Sequence, residues 1–503
     1  MNYERIFRQP IDRVAFILIF SLTFAIVIFA WGGETIFASL PKVKAFTWAG
    51  KQISAEDISF ILTFDRPMEH QSIEDNLKIE PDLDGKIGWA GNRMAYTLKN
   101  PAPYGEKYQI SLNNAKEKFR GNDRLGATIV PFKSEFTTRD RAFAYIGTQE
   151  EEQGRLIFYN LTQERREVLT PPNLIVTDFQ FYQQGNKILF SAADRSEGDE
   201  LLRKLELYTV NIPQEDIETG TKQNKAESFQ IKPILDNKDY QNNKFDLSKD
   251  GKTIVVQRIN RQNPADFDLW AIVEGKQPKR LNSREAGDFS IAPDSQTLAV
   301  AQGQGIALLP LQPDAKVLDF LPKFGRAIDF TRDGSAAAMV NFNTDNARLR
   351  YVQSLYYVNN RGVQKKLIDV RGSIVNCQFN PTGTQLFCLL TQAEETKETD
   401  EYIEKPYFAN IDIETAKMQP LVALPKFQDI KLSLSSDGLG IIFDQIVIAT
   451  NDVPDNLLRT NSGESIVGGN LWVLLVSTTD LAKNTSPQLK EIPLAGFHPQ
   501  WLP

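Results

Sequence analysis

The strongest constraint on this chain is a short unit that recurs six times between residues 179 and 444. Two apolar residues flank a single position, and a tight-turn residue follows four positions after the second apolar one. The pairs and their turn residues are Phe179/Phe181 with Gly185, Phe245/Leu247 with Gly251, Phe289/Ile291 with Ser295, Ile328/Phe330 with Gly334, Cys377/Phe379 with Gly383, and Leu432/Leu434 with Gly438. An apolar run follows each turn: 187–190, 253–257, 297–301, 336–340, 385–389 and 440–444. Residues two apart share one face of a strand. The Asp-Gly or Thr-Gly pair supplies the positive φ of a hairpin. A third strand with an aromatic or apolar centre comes next, around Tyr208, Trp270, Tyr356 and Trp472, and a more polar fourth strand ends many units, as in 278–282. Four antiparallel strands repeating every ~40–65 residues describe one blade of a β-propeller.

The two ends of this region are fragments that complement each other. Residues 142–170 hold three strands without a first one, and Phe497 to Trp501 read as a first strand without the other three. Together they make a seventh blade, and such closure removes the exposed edges that invite aggregation. The unit, the Asp-Leu-Trp or Asn-Leu-Trp third strand and the terminal Pro499-Gln500-Trp501 resemble the TolB-type propeller family. Ser295 departs from the family's turn glycine. The resemblance implies a propeller over 140–503. It does not carry the family's envelope role, because the preceding domain is of another kind. A WD-type propeller fits less well, since no Gly-His…Trp-Asp pairing recurs.

Between 46 and 139, short strands alternate with turn chemistry: 58–64 (ISFILTF), 76–80, 93–98, 107–112 and 132–137, with Pro67, Pro81 and Asp84-Gly85 as breaks. This spacing suggests a β-sandwich. The positions Phe64, Pro67-Met68, Leu77, Pro81, Trp89, Tyr104-Gly105, Tyr108 and Phe136-Thr137-Thr138 resemble the bacterial Ig-like domain of S-layer and other surface proteins. That resemblance implies a spacer or adhesive module without catalysis. Glu80, Asp82 and Asp84 lack the remaining ligands of a calcium loop and read as an acidic turn.

The start of the chain gives an address. Residues 14–31 (VAFILIFSLTFAIVIFAW) carry no charge, and Arg5, Arg8 and Arg13 precede them. As a helix they would span about 27 Å against a bilayer core of about 30 Å. They read as a signal anchor at 14–33, with a linker at 34–45. The positive-inside bias keeps 1–13 in the cytoplasm and exports the chain beyond the anchor. The rival reading is a signal peptide cut after Gly32, but the apolar run exceeds the usual signal core of about 7–15 residues. The expected fold class is therefore all-β: an N-terminal transmembrane helix, an Ig-like sandwich, and a seven-bladed propeller closed by the last strand.

Composition excludes more than it assigns. The 503 residues carry 64 acidic against 57 basic side chains, a net charge of −7, which argues against nucleic acid as a partner. Two cysteines and two histidines leave no zinc spacing. Neither a nucleophile elbow nor a phosphate loop is present. His70 and His498 read as structural. We expect no catalytic residue, no cofactor and no metal ligand. Cys377 and Cys388 fall opposite each other on paired strands. They form either a cross-strand disulfide or, more commonly for such a pair, two buried small apolar side chains.

Three polar insertions stand out: 191–203, 394–404 and 451–470. The second carries Glu394, Glu395, Glu398, Asp400, Glu401 and Glu404. They join second to third strands, so several should project from the same propeller face. They are solvated loops or partner-docking loops. The expected function is a non-catalytic binding or scaffold protein, anchored in the bilayer through 14–33, periplasmic or extracellular in bulk, with a protein or envelope-polymer partner. The alternative is a hydrolase or lyase with a carboxylate site, calcium-dependent or not, in the propeller channel. Two convergent carboxylates would favour the alternative, and a mixed funnel would favour binding.

Overall fold

The computed structural model describes residues 19, 21–23, 40–118, 126–212, 230–281, 283, 287–312, 316–349, 351–395, 402–425, 429–449, 458–460, 463–476 and 487–503. Nearly all of the expected anchor at 14–33 lies outside these residues. Ile19 and Ser21 to Thr23 are helical, and among the described residues no helix is long and apolar enough to cross a membrane. The chain divides into two compact units. The first comprises residues up to Lys51, Ser59–Leu98 and Lys107–Phe136, and the second comprises Gln52–Ile58, Lys99–Glu106 and Thr137–Pro503.

In the first unit, one sheet runs Val43–Phe46, Ser59–Phe64, Arg93–Leu98, Gly85–Ala90 in spatial order, and Leu77–Glu80 pairs with Lys107–Leu112 in a second sheet that continues into Phe132–Thr138. Alternation along Ser59–Phe64 buries Phe60, Leu62 and Phe64 completely. Phe46 and Trp48 from one side meet Phe136 from the other, with ring centroids 6.2 and 5.1 Å apart, so the aromatic residues fill the space between the sheets. Two features differ from the sequence reading. Asn76 ends a short helix, His70–Asn76, capped by the Glu69 carboxylate on the Ser72 N–H, so the strand begins at Leu77. The extra strand Gly85–Ala90 carries Trp89, on which His70 stacks at 4.0 Å.

The second unit is a ring of seven four-stranded blades. Five are separate sheets in strict sequence order: Leu174–Phe181 to Ile231–Leu235, Tyr240–Leu247 to Lys279–Arg280, Phe289–Ile291 to Asp319–Pro322, Arg326–Phe330 to Gln364–Arg371, and Ile374–Phe379 to Met418–Ala423. We number these blades 2 to 6 and letter their strands a to d from the channel outwards. The other two blades form one seven-stranded sheet, because a single strand, Gln488–Trp501, serves both. Its residues 488–495 are strand d of blade 7, beside Ile466–Leu475. Its residues 496–501 are strand a of blade 1, where Phe497 pairs with Ile146 and Trp501 with Phe143. Trp501 packs with Phe143, Tyr145, Ile157, Ile442 and Leu471, all of them buried.

The a–b hairpins take the expected left-handed turn residue: Gly185, Gly251, Gly334, Gly383 and Gly438 have φ between 69° and 77°. Ser295 takes the same role at φ 58° without being glycine, and its Oγ accepts the Asp250 N–H of the neighbouring turn at 3.0 Å. The second strands are heavily buried: in Lys187–Asp194 every residue but the first and last is buried, and in Ala336–Asn341 every residue but Asn341. Cys377 and Cys388 are directly paired across strands a and b of blade 6, fully buried, and joined in a disulfide (Cα–Cα 4.0 Å).

Candidate site at the channel mouth

The innermost strand of a blade has one edge paired to strand b and the other facing the channel. Its channel-side N–H groups need partners. The position between the two apolar residues supplies them in five of the six units. The Gln180 carboxamide oxygen accepts the Leu247 N–H of the next blade at 2.9 Å, Asp246 accepts Ile291 N–H at 2.6 Å, Asp329 accepts Phe379 N–H at 2.7 Å, Gln378 accepts Leu434 N–H at 2.6 Å, and Ser433 Oγ accepts Trp501 N–H at 3.1 Å. Gln500 continues the series by donating to the Phe179 carbonyl at 2.7 Å. One polar side chain thus stitches each inner strand to the next at six of the seven junctions, the exception being blade 4 to blade 5. Burial pushes the Asp246 carboxyl above its ordinary range, and pushes Asp329 up to about 7 against the hydrogen bonds it accepts.

Two positions upstream of the stitch, nearer the start of each inner strand, stands a second ring. It runs His498 in blade 1, Asp178 in blade 2, Lys244 in blade 3, Asp288 in blade 4 and Lys431 in blade 7. In blade 5 a bulge after Ala327 brings Arg326 to the equivalent place, and blade 6 has Asn376. Charge alternates around much of this ring, and neighbours pair. His498 Nε2 lies 3.5 Å from Asp178, Asp288 receives Lys244 and, at 3.4 Å, Arg326, and Lys431 lies 3.4 Å from Asp429. Burial pushes the His498 imidazole below its usual value, with Asp178 pulling it back up. Beneath it, Asp444 of blade 7 accepts the Lys431 N–H at 2.8 Å and the His498 N–H at 2.6 Å, and burial pushes its carboxyl up to about 7. A cavity of ≈ 70 Å³ opens here, lined by Asp178, Asp429, Lys431, Arg459, Thr460 and His498 among others.

The strands run antiparallel, so this end of the inner strands shares a face with the d–a and b–c connections. All three polar insertions join strands b and c and belong to it: the 3-10 segment Arg195–Arg203 of blade 2, the long hairpin arms Gln385–Glu395 and Tyr402–Asp412 of blade 6, and the arms Gly440–Ile448 and Ile466–Leu475 of blade 7. Of the acidic cluster, Glu394 pairs with Lys405 at 2.6 Å, and Glu404 accepts the hydroxyls of Ser373 and Thr391 at 3.0 and 2.7 Å. Glu404 therefore serves the blade rather than a loop tip. Glu395 ends its strand opposite Tyr402. Glu398, Asp400 and Glu401 lie outside the described residues.

The opposite mouth is occupied. Segment Gln52–Ile58 of the same unit places Glu56 3.0 Å from Lys249 Nζ and 3.2 Å from Gln183 Nε2. Arg332 binds the Ala55 carbonyl at 2.7 Å, and Tyr104, whose hydroxyl accepts the Ala55 N–H at 2.9 Å, gives its own N–H to Asp437 at 3.0 Å. Asp437 also receives Arg141 at 2.5 Å. These partners sit on the a–b turns of blades 2, 3, 5 and 7. Turns spread around the whole ring converge only near its axis, so this segment caps the channel.

Sequence reasoning places no functional residue in the inner strands. Aligning the six repeats in register would expose both the stitch and the charge ring. The cap has no such signal, because nothing in Gln52–Ile58 repeats. Among the described residues, no group of three or more His, Cys, Asp or Glu side chains is arranged to hold a metal ion.

The chain matches no known family profile and no curated protein. Solved structures similar to it include TolB from Acinetobacter baumannii (13% identity, 72% of this chain and 67% of that one, TM-score 0.38). They also include oligogalacturonate lyase from Vibrio parahaemolyticus (12%, 67% and 97%, 0.38) and a putative 6-phosphogluconolactonase from Bacteroides fragilis (10%, 72% and 98%, 0.42). The propeller assignment itself rests on the sheet order of the second unit.

Proposed function

We propose that this chain is a non-catalytic, membrane-anchored, extracytoplasmic binding protein. Residues 14–33 act as a signal anchor, 46–139 as an Ig-like spacer, and the propeller as a docking platform for a protein or an envelope polymer. The observation that carries the reading is the polar ring of His498, Asp178, Lys244, Asp288 and Arg326, with Asp288 ion-paired to Lys244 and Arg326, at the mouth where the insertions gather. Asp288 stands between the cations Lys244 and Arg326, and Asp178 stands beside the His498 imidazole. Such a rim offers paired charges of both signs to a polar surface. General acid–base work instead wants two facing carboxylates whose environments hold their pKa values apart. The cap on the other mouth leaves this face as the one available to a ligand entering the channel.

The test uses the full chain in its own membranes. Alkaline extraction should leave it in the membrane fraction, and added protease should cleave it only from the outer side. Proximity labelling should mark a reproducible neighbour that is lost when Asp178 and Lys244 are replaced by alanine. Release by alkali would refute the anchor, and a neighbour indifferent to those substitutions would refute the platform.

A further inference from the structure

Blades 7 and 1 meet along the strand they share, and near the channel the wedge between them is full. There Phe143, Tyr145, Ile157, Ile442, Leu471 and Trp501 are buried against one another. Towards the outer strands, on the side of the a–b turns, the packing stops short and leaves an open cleft of ≈ 500 Å³. Its walls are mainly aliphatic, with Leu161 of blade 1 facing Val473, Leu475 and Ile492 of blade 7, and Trp501 is their one aromatic side chain. Val473 and Ile492 are only half-buried and Leu475 is exposed, so apolar side chains that a core would hide border open space. No acidic side chain lines the cleft, and its one charged lining residue is Arg141. The guanidinium meets the fully buried Asp437 carboxylate through Nη2, which also reaches the Tyr104 carbonyl at 3.5 Å. Nε and Nη1 donate to no partner among the described residues.

We propose that this cleft binds a single fatty acyl chain, whose carbonyl end accepts hydrogen bonds from Arg141. A site of this size, apolar over most of its wall with one convergent donor group, fits a molecule that is apolar along most of its length and polar at one end. Asp437 already balances the guanidinium charge, so the spare N–H groups call for an acceptor oxygen, which a carboxylic acid and an ester both carry. Aliphatic walls suit a flexible chain, and a flat ring system would find only Trp501 to stack on. Neither the anchor nor the platform reading is needed for this.

The probe is palmitic acid carrying a photoactivatable diazirine, offered to the purified full chain in a fluorinated surfactant, whose chains mix poorly with hydrocarbon. Labelling should saturate at one molecule per chain and map to the peptides that carry Leu161, Val473 and Ile492. Displacement by unlabelled oleic acid would identify the free acid as the preferred form, and displacement by monooleoylglycerol alone would identify the ester. Leu475→Trp fills the space and should abolish labelling. Arg141→Lys keeps a cation for Asp437 but removes the spare N–H groups, and should weaken binding about tenfold. Circular dichroism checks that each variant is folded, and the wild-type label map decides the matter if either is not. Labelling that never saturates, that maps elsewhere, that neither competitor displaces, or that survives in folded Leu475→Trp protein would overturn the proposal. So would an unlabelled cleft, the result expected if the chain itself or a protein partner fills it.

Discussion

Replacing Trp501 by alanine tests whether the last strand holds the ring shut. Trp501 is 7% exposed, its ring lies 5.6 Å from Phe143 in an edge-on contact, and Arg141 lies 6.0 Å over its face. Burying a tryptophan removes roughly 200 Å² from water, about 5 kcal/mol at 25 cal/mol per Å². Large-to-small aromatic substitutions in cores cost about 3–5 kcal/mol, so about 4 kcal/mol is expected. An unfolding entropy of ~2.1 cal/mol/K per residue over about 380 residues gives roughly 0.8 kcal/mol/K, and hence a fall in melting temperature of about 5 °C. The assay is calorimetry of the wild type, Trp501→Ala, Phe143→Ala and the double variant. The two rings touch, so the double variant should lose about 1 kcal/mol less than the sum of the singles. A Trp501→Ala melting temperature within about 1 °C of the wild type, or strict additivity, would refute closure by this strand.

Other consequences are open to direct measurement. Asp329 keeps its proton in the folded protein up to about 7, above its ordinary value of 3.8. Its contribution is therefore complete below about 4 and is lost as pH rises through about 7, a swing of order 4 kcal/mol. Denaturation midpoints at pH 5 and pH 8 should differ less for Asp329→Asn than for the wild type, and an unchanged difference would exclude the buried acid as its source. Denatured, unreduced protein from an oxidising compartment should show no free thiol, and Cys377→Ala with Cys388→Ala should cost about 3 kcal/mol for a crosslink spanning 11 residues. Two free thiols would contradict the disulfide. At Ser295, glycine relieves a left-handed backbone cost of about 1 kcal/mol but loses the bond to Asp250, so Ser295→Gly should be nearly neutral. Ser295→Ala keeps the strain and loses the bond, and should be less stable by about 1 kcal/mol in chemical denaturation.

The blades were legible because each repeat encodes its own hairpin within about a dozen residues. Phe245, Leu247 and Gly251 specify a strand face and a turn without reference to anything distant, and the outcome comes from period and φ alone. The closing pair was legible for the complementary reason: a first strand without partners and three strands without a first can satisfy their edges only together. The charge ring was not legible, since Asp178 and His498 lie in different repeats and look like ordinary polar residues until the ring brings them to 3.5 Å. Five of the stitching residues meet partners 45 to 68 positions away, about one repeat along the chain, and Gln500 meets Phe179 321 positions away; a local scan passes over both. The cap depends on Gln52–Ile58 reaching three separate turns, with Tyr104 reaching a fourth, and no periodicity marks such a segment. Helix His70–Asn76 escaped because about two turns of capped helix leave almost no hydrophobic period, with Ile73 its single buried residue.

The strand Gln488–Trp501 belongs to two blades at once. Blades 2 to 6 are each bounded by turns, so any of them could fray as a separate cooperative unit. Blades 7 and 1 have no such freedom: peeling residues 488–495 away from their neighbour tugs on the same backbone that carries Phe497 and Trp501. Amide exchange should therefore register these two as a single block of doubled size, opening in one event, within an otherwise blade-by-blade spectrum.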